Sequence, residues 1–154
     1  MMIERIKMAE DEIVDAVKTT WQTLLNLNVD QVPAGNTQVD VSSSGSIQLT
    51  GDDQFQLLME FDEGMAQFAA RTFFGENPSA DDIEDAISEI VNIIGGNVLG
   101  LIGTAPDLGL PEVPPGEDPS ATPDTALRLV FKRDDMAVRL ELRATSTEQD
   151  SKED

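Results

Sequence analysis

Apolar residues recur every three to four positions in three segments of this chain, which is the spacing that places them on one face of a helix. The spacing predicts helices over residues 11–29, 62–74 and 80–102. We expect the first helix to be ended by Pro33 and Gly35, because proline and glycine interrupt helices.

Two of the predicted helices carry capping signals. Asp62 is suited to cap the start of the second helix, and Gly75 to stop it. Ser79 is suited to cap the third helix, with Asp82 three residues later as the acid of a capping box.

The third helix also contains the adjacent pair Gly95-Gly96, and each glycine in a helix interior costs about 1 kcal/mol relative to alanine. A weakening of this size calls for an explanation.

The pattern changes to alternation of apolar and polar residues between and after these helices. Residues 37–44, 45–50 and 54–61 predict adjacent antiparallel strands separated by turn signals. Residues 126–144 predict a hairpin with apolar side chains on one face, namely Leu127, Leu129, Phe131, Val138, Leu140 and Leu142. The expected fold class is therefore α+β, with one antiparallel β-sheet covered by helices.

Prolines mark one long irregular segment. Six of the eight prolines fall within residues 104–124, which predicts a long loop whose second half is acidic. We expect residues 1–10 to be an N-terminal extension, residues 11–144 to form one globular domain, and residues 145–154 to be a disordered acidic tail.

Composition narrows the classes of function. The 154 residues carry a formal net charge of −20 and include neither histidine nor cysteine. Nucleic acid and anionic membranes are therefore unfavourable partners, since both attract lysine and arginine. Thiolate chemistry, zinc-thiolate sites and histidine general bases are excluded. The first residues lack the apolar core of a signal peptide and the longest apolar run is too short to span a bilayer, so we expect a cytoplasmic location.

The third predicted helix has two contrasting faces. At 100° per residue its apolar stripe contains Ile83, Ala86, Ile87, Ile90, Ile94, Val98 and Leu101. Asp85, Glu89, Asn92 and Gly96 fall on the opposite face, where Glu89 and Asn92 are neighbours three residues apart. Gly96 leaves a flat spot that another surface could approach closely. A polar pair on such a face is also compatible with simple solvation, and the glycines with relief of crowding against a neighbouring element.

The stretch EDAISEIVNIIGGNVLGLI resembles the signature helix of the bacterial chemotaxis phosphatases of the CheC, CheX and FliY family. The family's E-x-x-N motif reads here as Glu89 and Asn92, followed by the pair Gly96-Asn97. Flanking segments are also similar to the family, so the resemblance spans residues 11–143. One motif in a short chain is typical of the CheX-type members, whereas CheC-like members carry two pseudo-symmetric halves.

The resemblance implies a phosphatase acting on the aspartyl phosphate of a CheY-like receiver domain. Asn92 would orient the attacking water, because an amide offers both a donor and an acceptor. Glu89 would pair with the receiver's lysine, Gly96 would give clearance, and Asp85 could add a charge at the rim of the contact. The protein would need no cofactor of its own, since the receiver supplies Mg2+. The resemblance also implies a homodimer.

Two other functions fit the same residues. The helix could dock on a receiver without catalysis, as an adaptor or a flagellar-switch component. The acidic chain could also occupy a cationic partner's binding site, with an affinity that collapses in salt. A calcium loop is disfavoured, because the acidic residues never take the spacing of such a loop. Asn92 argues for catalysis, because docking alone requires no amide that orients water.

Overall fold

The computed structural model describes residues 6, 8–50, 54–102 and 125–144. Five strands form one antiparallel sheet in the order β1-β4-β5-β3-β2. Their bounds are Asp30–Val32 for β1, Ser43–Thr50 for β2, Gln54–Phe61 for β3, Thr125–Arg133 for β4 and Met136–Ala144 for β5. The helices are α1 (Glu10–Thr20), α2 (Glu63–Phe74) and α3 (Ala80–Ile102). The α+β prediction is confirmed.

The core lies between the helices and one face of the sheet. Apolar residues of β2, β3, β4 and β5 that alternate along each strand point into it, together with the buried stripes of the helices. Trp21 lies at its centre, stacked on Phe61 with ring centroids 6.1 Å apart, and its indole N–H donates to the sulfur of Met65. This main core fixes α3 against β2, α1 and α2.

The hairpin formed by β4 and β5 has its six apolar residues on one face, as predicted. Leu127 pairs with Leu142, Leu129 with Leu140, and Phe131 with Val138. All six side chains are buried on the helix-covered face. The alternation read from the sequence therefore identified both strands and the face that each residue occupies.

The capping predictions for the second and third helices are confirmed. A carboxylate oxygen of Asp62 accepts from the backbone N–H of Met65 at 2.8 Å, and Gly75 ends α2 with a φ of 104°. The hydroxyl of Ser79 accepts from the backbone N–H of Asp82, whose carboxylate accepts in turn from the backbone N–H of Ser79. These reciprocal bonds satisfy two donors that a helix start leaves unpaired.

The prediction that one helix runs to residue 29 is wrong. Regular α-helix ends at Thr20, a π-helical turn covers Trp21–Leu25, and Asn26 takes the left-handed conformation with a φ of 53°. Asparagine tolerates this conformation better than most residues. The chain then forms the edge strand β1, so Pro33 and Gly35 follow a strand and do not end the helix.

The prediction of a separate strand over residues 37–44 is also wrong. Residues 37–41 belong to no strand, and only Ser43 and Ser44 join β2. Val39 is buried in a small second cluster with Val130 and Ala137. Val39 is therefore packed without being part of a strand, whereas Val41 is exposed.

Ion pairs cover the other face of the sheet. Glu141 of β5 binds Arg128 of β4 at 2.7 Å and Arg143 at 3.0 Å, and Arg139 binds Glu60 of β3 at 2.6 Å. Arg128 and Glu141, like Arg139 and Glu60, are directly opposed across neighbouring strands. Much of the basic charge of the hairpin is therefore neutralised by carboxylates of the same sheet.

Ile6 and Ala9 precede α1 and are both buried in the main core. The predicted loop at 104–124 and the predicted tail at 145–154 lie outside the described residues. The domain limits proposed from sequence remain a prediction.

Candidate functional site

Helix α3 packs through a wider apolar face than predicted. Its buried residues are Ala86, Ile87, Ile90, Val91, Ile94, Gly95, Val98, Leu99 and Ile102. Val91, Gly95 and Leu99 join the stripe because α3 contacts α1, α2 and β2 together. Leu101 was expected in the stripe, and this was wrong: it is 37% exposed and lines an open apolar pocket beside Met8.

The two adjacent glycines have different surroundings. Gly95 is buried, and a Cβ at this position would stand 3.0 Å from Cγ2 of Ile47 on β2. Close approach of α3 to the sheet therefore explains Gly95. This agrees with the alternative interpretation from the sequence, in which the glycines relieve crowding against a neighbouring element. Gly96 is exposed, on the opposite side of the helix.

The polar residues singled out from sequence all lie on the exposed face of α3. Asp85, Glu89, Asn92 and Gly96 are exposed, and their predicted exposure is confirmed. Glu89 and Asn92 are three residues apart, so their Cβ atoms lie roughly 5–6 Å from each other. Within the described part of the chain, neither side chain makes a hydrogen bond or an ion pair. Both are therefore available to another molecule.

Asn97, the second residue of the Gly-Asn pair, has a different role. Its side-chain amide donates to the hydroxyl oxygen of Thr20 at 3.4 Å and so connects α3 to α1. The hydroxyl of Thr20 donates in turn to the backbone carbonyl of Ala16 at 2.8 Å. This hydrogen bond gives Asn97 a structural role.

The charge of α3 is of one sign. The helix contains five acidic residues and no lysine or arginine, and the acids lie in its first ten positions. Asp82 is engaged in the capping box, whereas Asp85 and Glu89 are exposed along the helix. A surface with this charge favours a partner that presents an ammonium or guanidinium group. In residues 6, 8–50, 54–102 and 125–144, no three acidic side chains form a group that could hold a metal ion.

One helix among the described residues, α3, is long and apolar enough by length and composition to cross a membrane. Half of that stretch is buried inside this fold. The core helix of a soluble protein passes the same test, so the finding is weak evidence for a membrane span.

Comparison with protein families matches more than half of the chain. Residues 43–132 match the model of the family described as chemotaxis phosphatase CheX, and so cover more than half of the chain, including α3 with Glu89 and Asn92. No curated protein matches the chain by sequence.

Solved structures share the fold. A chemotaxis protein CheX from Desulfovibrio desulfuricans superposes with a TM-score of 0.71 at 18% identity, covering 90% of this chain and 99% of that one. CheX from Vibrio vulnificus gives 0.67 at 20% identity, with 85% and 92% covered. A structure of the CheX–CheY–BeF3–Mg2+ complex from Borrelia burgdorferi gives 0.65 at 19% identity, with 86% and 96% covered. At these identities the likeness establishes the fold.

Proposed function

Because this chain belongs to the CheX family of chemotaxis phosphatases, we propose that it hydrolyses the aspartyl phosphate of a CheY-like receiver domain. The observation that carries the proposal is the exposure of Glu89 and Asn92 together on the outer face of α3, without partners in the described part of the chain. The Borrelia burgdorferi CheX structure, solved as a complex with CheY, BeF3 and Mg2+, supports the class of partner.

Asn92 is the proposed catalytic residue. Its carboxamide accepts a hydrogen bond from the attacking water and can donate one to a phosphoryl oxygen, so it fixes the water in line with the bond that breaks. The water oxygen bonds to phosphorus while the bond between phosphorus and the aspartyl oxygen breaks. Aspartate carboxylate and inorganic phosphate result. Positioning of this kind can supply a large part of the barrier reduction without a covalent intermediate.

Glu89 is the proposed docking residue. Its carboxylate lies one helical turn from Asn92 and would pair with the receiver's active-site lysine, which sets the depth and register of the helix on the partner. Asp85, one further turn toward the start of α3, adds negative charge at the rim of the same contact. The acidic helix face therefore matches a basic group beside the phosphorylated aspartate.

Gly96 supplies clearance in this account. It follows Asn92 by four residues on the exposed face, so a side chain at residue 96 would lie directly beside the water-orienting amide. Any side chain there would hold the backbones of helix and receiver apart.

In the proposed reaction the charge on the phosphoryl group is neutralised by the receiver domain and not by this chain. Mg2+ held by the receiver balances charge on the phosphoryl oxygens, so this chain supplies only orientation and docking. The absence of histidine and cysteine from the sequence is compatible with that division, because neither a general base nor a nucleophile is required from this chain.

The proposal is tested by the decay of phosphorylated receiver domains from the same genome, with and without the protein. Release of inorganic phosphate should accelerate for at least one receiver. Binding to a phosphorylated receiver without acceleration would instead identify an adaptor or a flagellar-switch component.

We further propose a cytoplasmic homodimer that binds neither nucleic acid nor membrane, and sedimentation of the purified protein measures its oligomeric state.

A further inference from the structure

One large apolar residue of α3 lies beside the candidate site and takes no part in the core. Ile93 is half-buried and follows Asn92 directly in the sequence. Ile83 of the same helix is also half-buried, and it packs against the main core. Ile93, in contrast, packs against neither of the two apolar clusters that the described residues form. The packing of the described fold therefore does not explain an isoleucine at this position.

Helical spacing sets the place of Ile93 on the surface of α3. It follows Glu89 by four residues, so the two side chains are neighbours with Cβ atoms roughly 5–6 Å apart. Side chains of a helix lean toward its N-terminus, which brings Ile93 over the turn that carries Glu89. Asn97, four residues after Ile93, is bonded to Thr20 of α1. Ile93 therefore borders Glu89 on the side of α3 that faces α1.

Two glycines follow Ile93 on the exposed side of the helix. Gly96 and Gly100 are both exposed, and a Cβ at residue 100 would meet no atom within 4 Å. Backbone without side chains allows the surface of another molecule to approach closely. A partner that descends to Gly96 would therefore also contact Ile93, which projects further from the helix than either glycine.

We infer that Ile93 is a positioning residue of the docking contact, which covers one side of the pair between Glu89 and the receiver's lysine and excludes water from it. This inference rests on the proposed function. An ion pair is stronger where water is excluded, because the effective dielectric constant is lower there. Apolar groups around the centre of an interface act largely through such exclusion. The partner surface that fits is accordingly an apolar patch beside an ammonium group.

The test measures affinity for a receiver domain loaded with BeF3 and Mg2+, chosen as one whose phosphate the parent releases. Ile93→Ala should weaken binding about fivefold, because three carbon atoms lose their contact with the partner. Ile93→Val removes one carbon atom and should weaken binding less. Since Ile93 packs against neither cluster, both variants should fold with nearly the stability of the parent. Unchanged affinity of folded Ile93→Ala would overturn the inference.

Ile83→Ala is the matched control. It makes the same truncation in a half-buried isoleucine of the same helix, but one that packs against the core. We expect it to lower the midpoint of urea denaturation and to leave affinity for the loaded receiver unchanged. An equal loss of affinity in Ile83→Ala and Ile93→Ala would assign both effects to a disturbed helix and would overturn the inference.

A double-mutant cycle with Glu89→Ala separates shielding from simple contact. Without Glu89 there is no ion pair to shield, so Ile93→Ala should cost less affinity in that background than in the parent. Ile93→Ala alone should also steepen the dependence of affinity on salt, because an ion pair open to water is screened more. Losses that multiply, with the salt dependence of the parent, would overturn the shielding role and leave the proposed function intact. A parent that accelerates no receiver would refute the proposed function, and the inference with it.

Discussion

Cγ2 of Ile47 lies 3.0 Å from the point that a Cβ on Gly95 would occupy, so α3 approaches β2 as closely as a glycine permits. Ile47 is buried, and its branched side chain has little freedom to move away. The glycine pair thus serves two surfaces, with Gly95 turned to the sheet and Gly96 to solvent. The two positions should respond differently to the same substitution.

We predict that Gly95→Ala lowers the free energy of unfolding, whereas Gly96→Ala raises it. Alanine gains about 1 kcal/mol of helix propensity at either position. At residue 95 overpacking against Ile47 costs about 1–3 kcal/mol and outweighs that gain. Denaturant midpoints measure the difference, and equal midpoints for the two variants would contradict it. Gly96→Ala should nevertheless reduce phosphate release, because its methyl group lies on the docking face.

Asp62, directly after β3, connects α2 to β5. One oxygen accepts from the N–H of Met65 at the start of α2, and the other accepts from the N–H of Ala137 on β5 at 3.0 Å. Asp62→Ala removes both acceptors and should cost about 1–3 kcal/mol of stability. Asp62→Asn keeps one acceptor and should cost less. Urea denaturation ranks the parent and the two variants, and a loss of equal size in both would argue against the two-bond role.

Glu141 should be the most sensitive ionic residue. It binds Arg143 and Arg128, and Arg143 is buried, so Glu141→Leu leaves an uncompensated charge in the sheet. Breaking such a buried pair costs about 3–5 kcal/mol. Arg128→Ala is the comparison, because the Arg128 side chain is half exposed and its loss should cost much less. Similar melting temperatures for the two variants would refute this ranking.

We predict that Glu89→Ala weakens binding to the phosphorylated receiver and flattens the dependence of affinity on salt. An exposed carboxylate that pairs with a lysine contributes an attraction that salt screens. Titration of a receiver loaded with BeF3 and Mg2+ at two ionic strengths measures both effects. Glu84→Ala, an exposed acid elsewhere on α3, is the matched control and should change affinity less. Equal losses of affinity for both variants would show that binding depends on the overall negative charge of the helix and not on a specific pair made by Glu89.

The sequence predicted those parts of the fold that local patterning determines. Asp62, Gly75 and Ser79 mark helix ends through local capping chemistry, and the apolar face of the hairpin follows from alternation alone. The end of the first helix was missed, because the turn after Thr20 is held by burial of Trp21 against Phe61, a contact between distant segments. β1 was missed because three residues carry too little periodicity to be seen.

The exposure of the candidate site residues was predicted more completely than the packing around them. Exposure of Glu89 and Asn92 follows from helical spacing, which needs no knowledge of neighbours. Gly95 could be explained only from its contact with β2, which the sequence does not reveal. The exposure of Leu101 likewise depends on how far α1 covers α3.

The most direct measurement of the central claim is phosphate release from a phosphorylated receiver by the parent and by Asn92→Ala, with binding to the BeF3-loaded receiver measured in parallel. Asn92 is exposed and its side chain makes no hydrogen bond within the described residues, so the variant should fold and still bind. The account predicts loss of the acceleration by about 100-fold or more with affinity nearly unchanged. Equal release by the two proteins would contradict it.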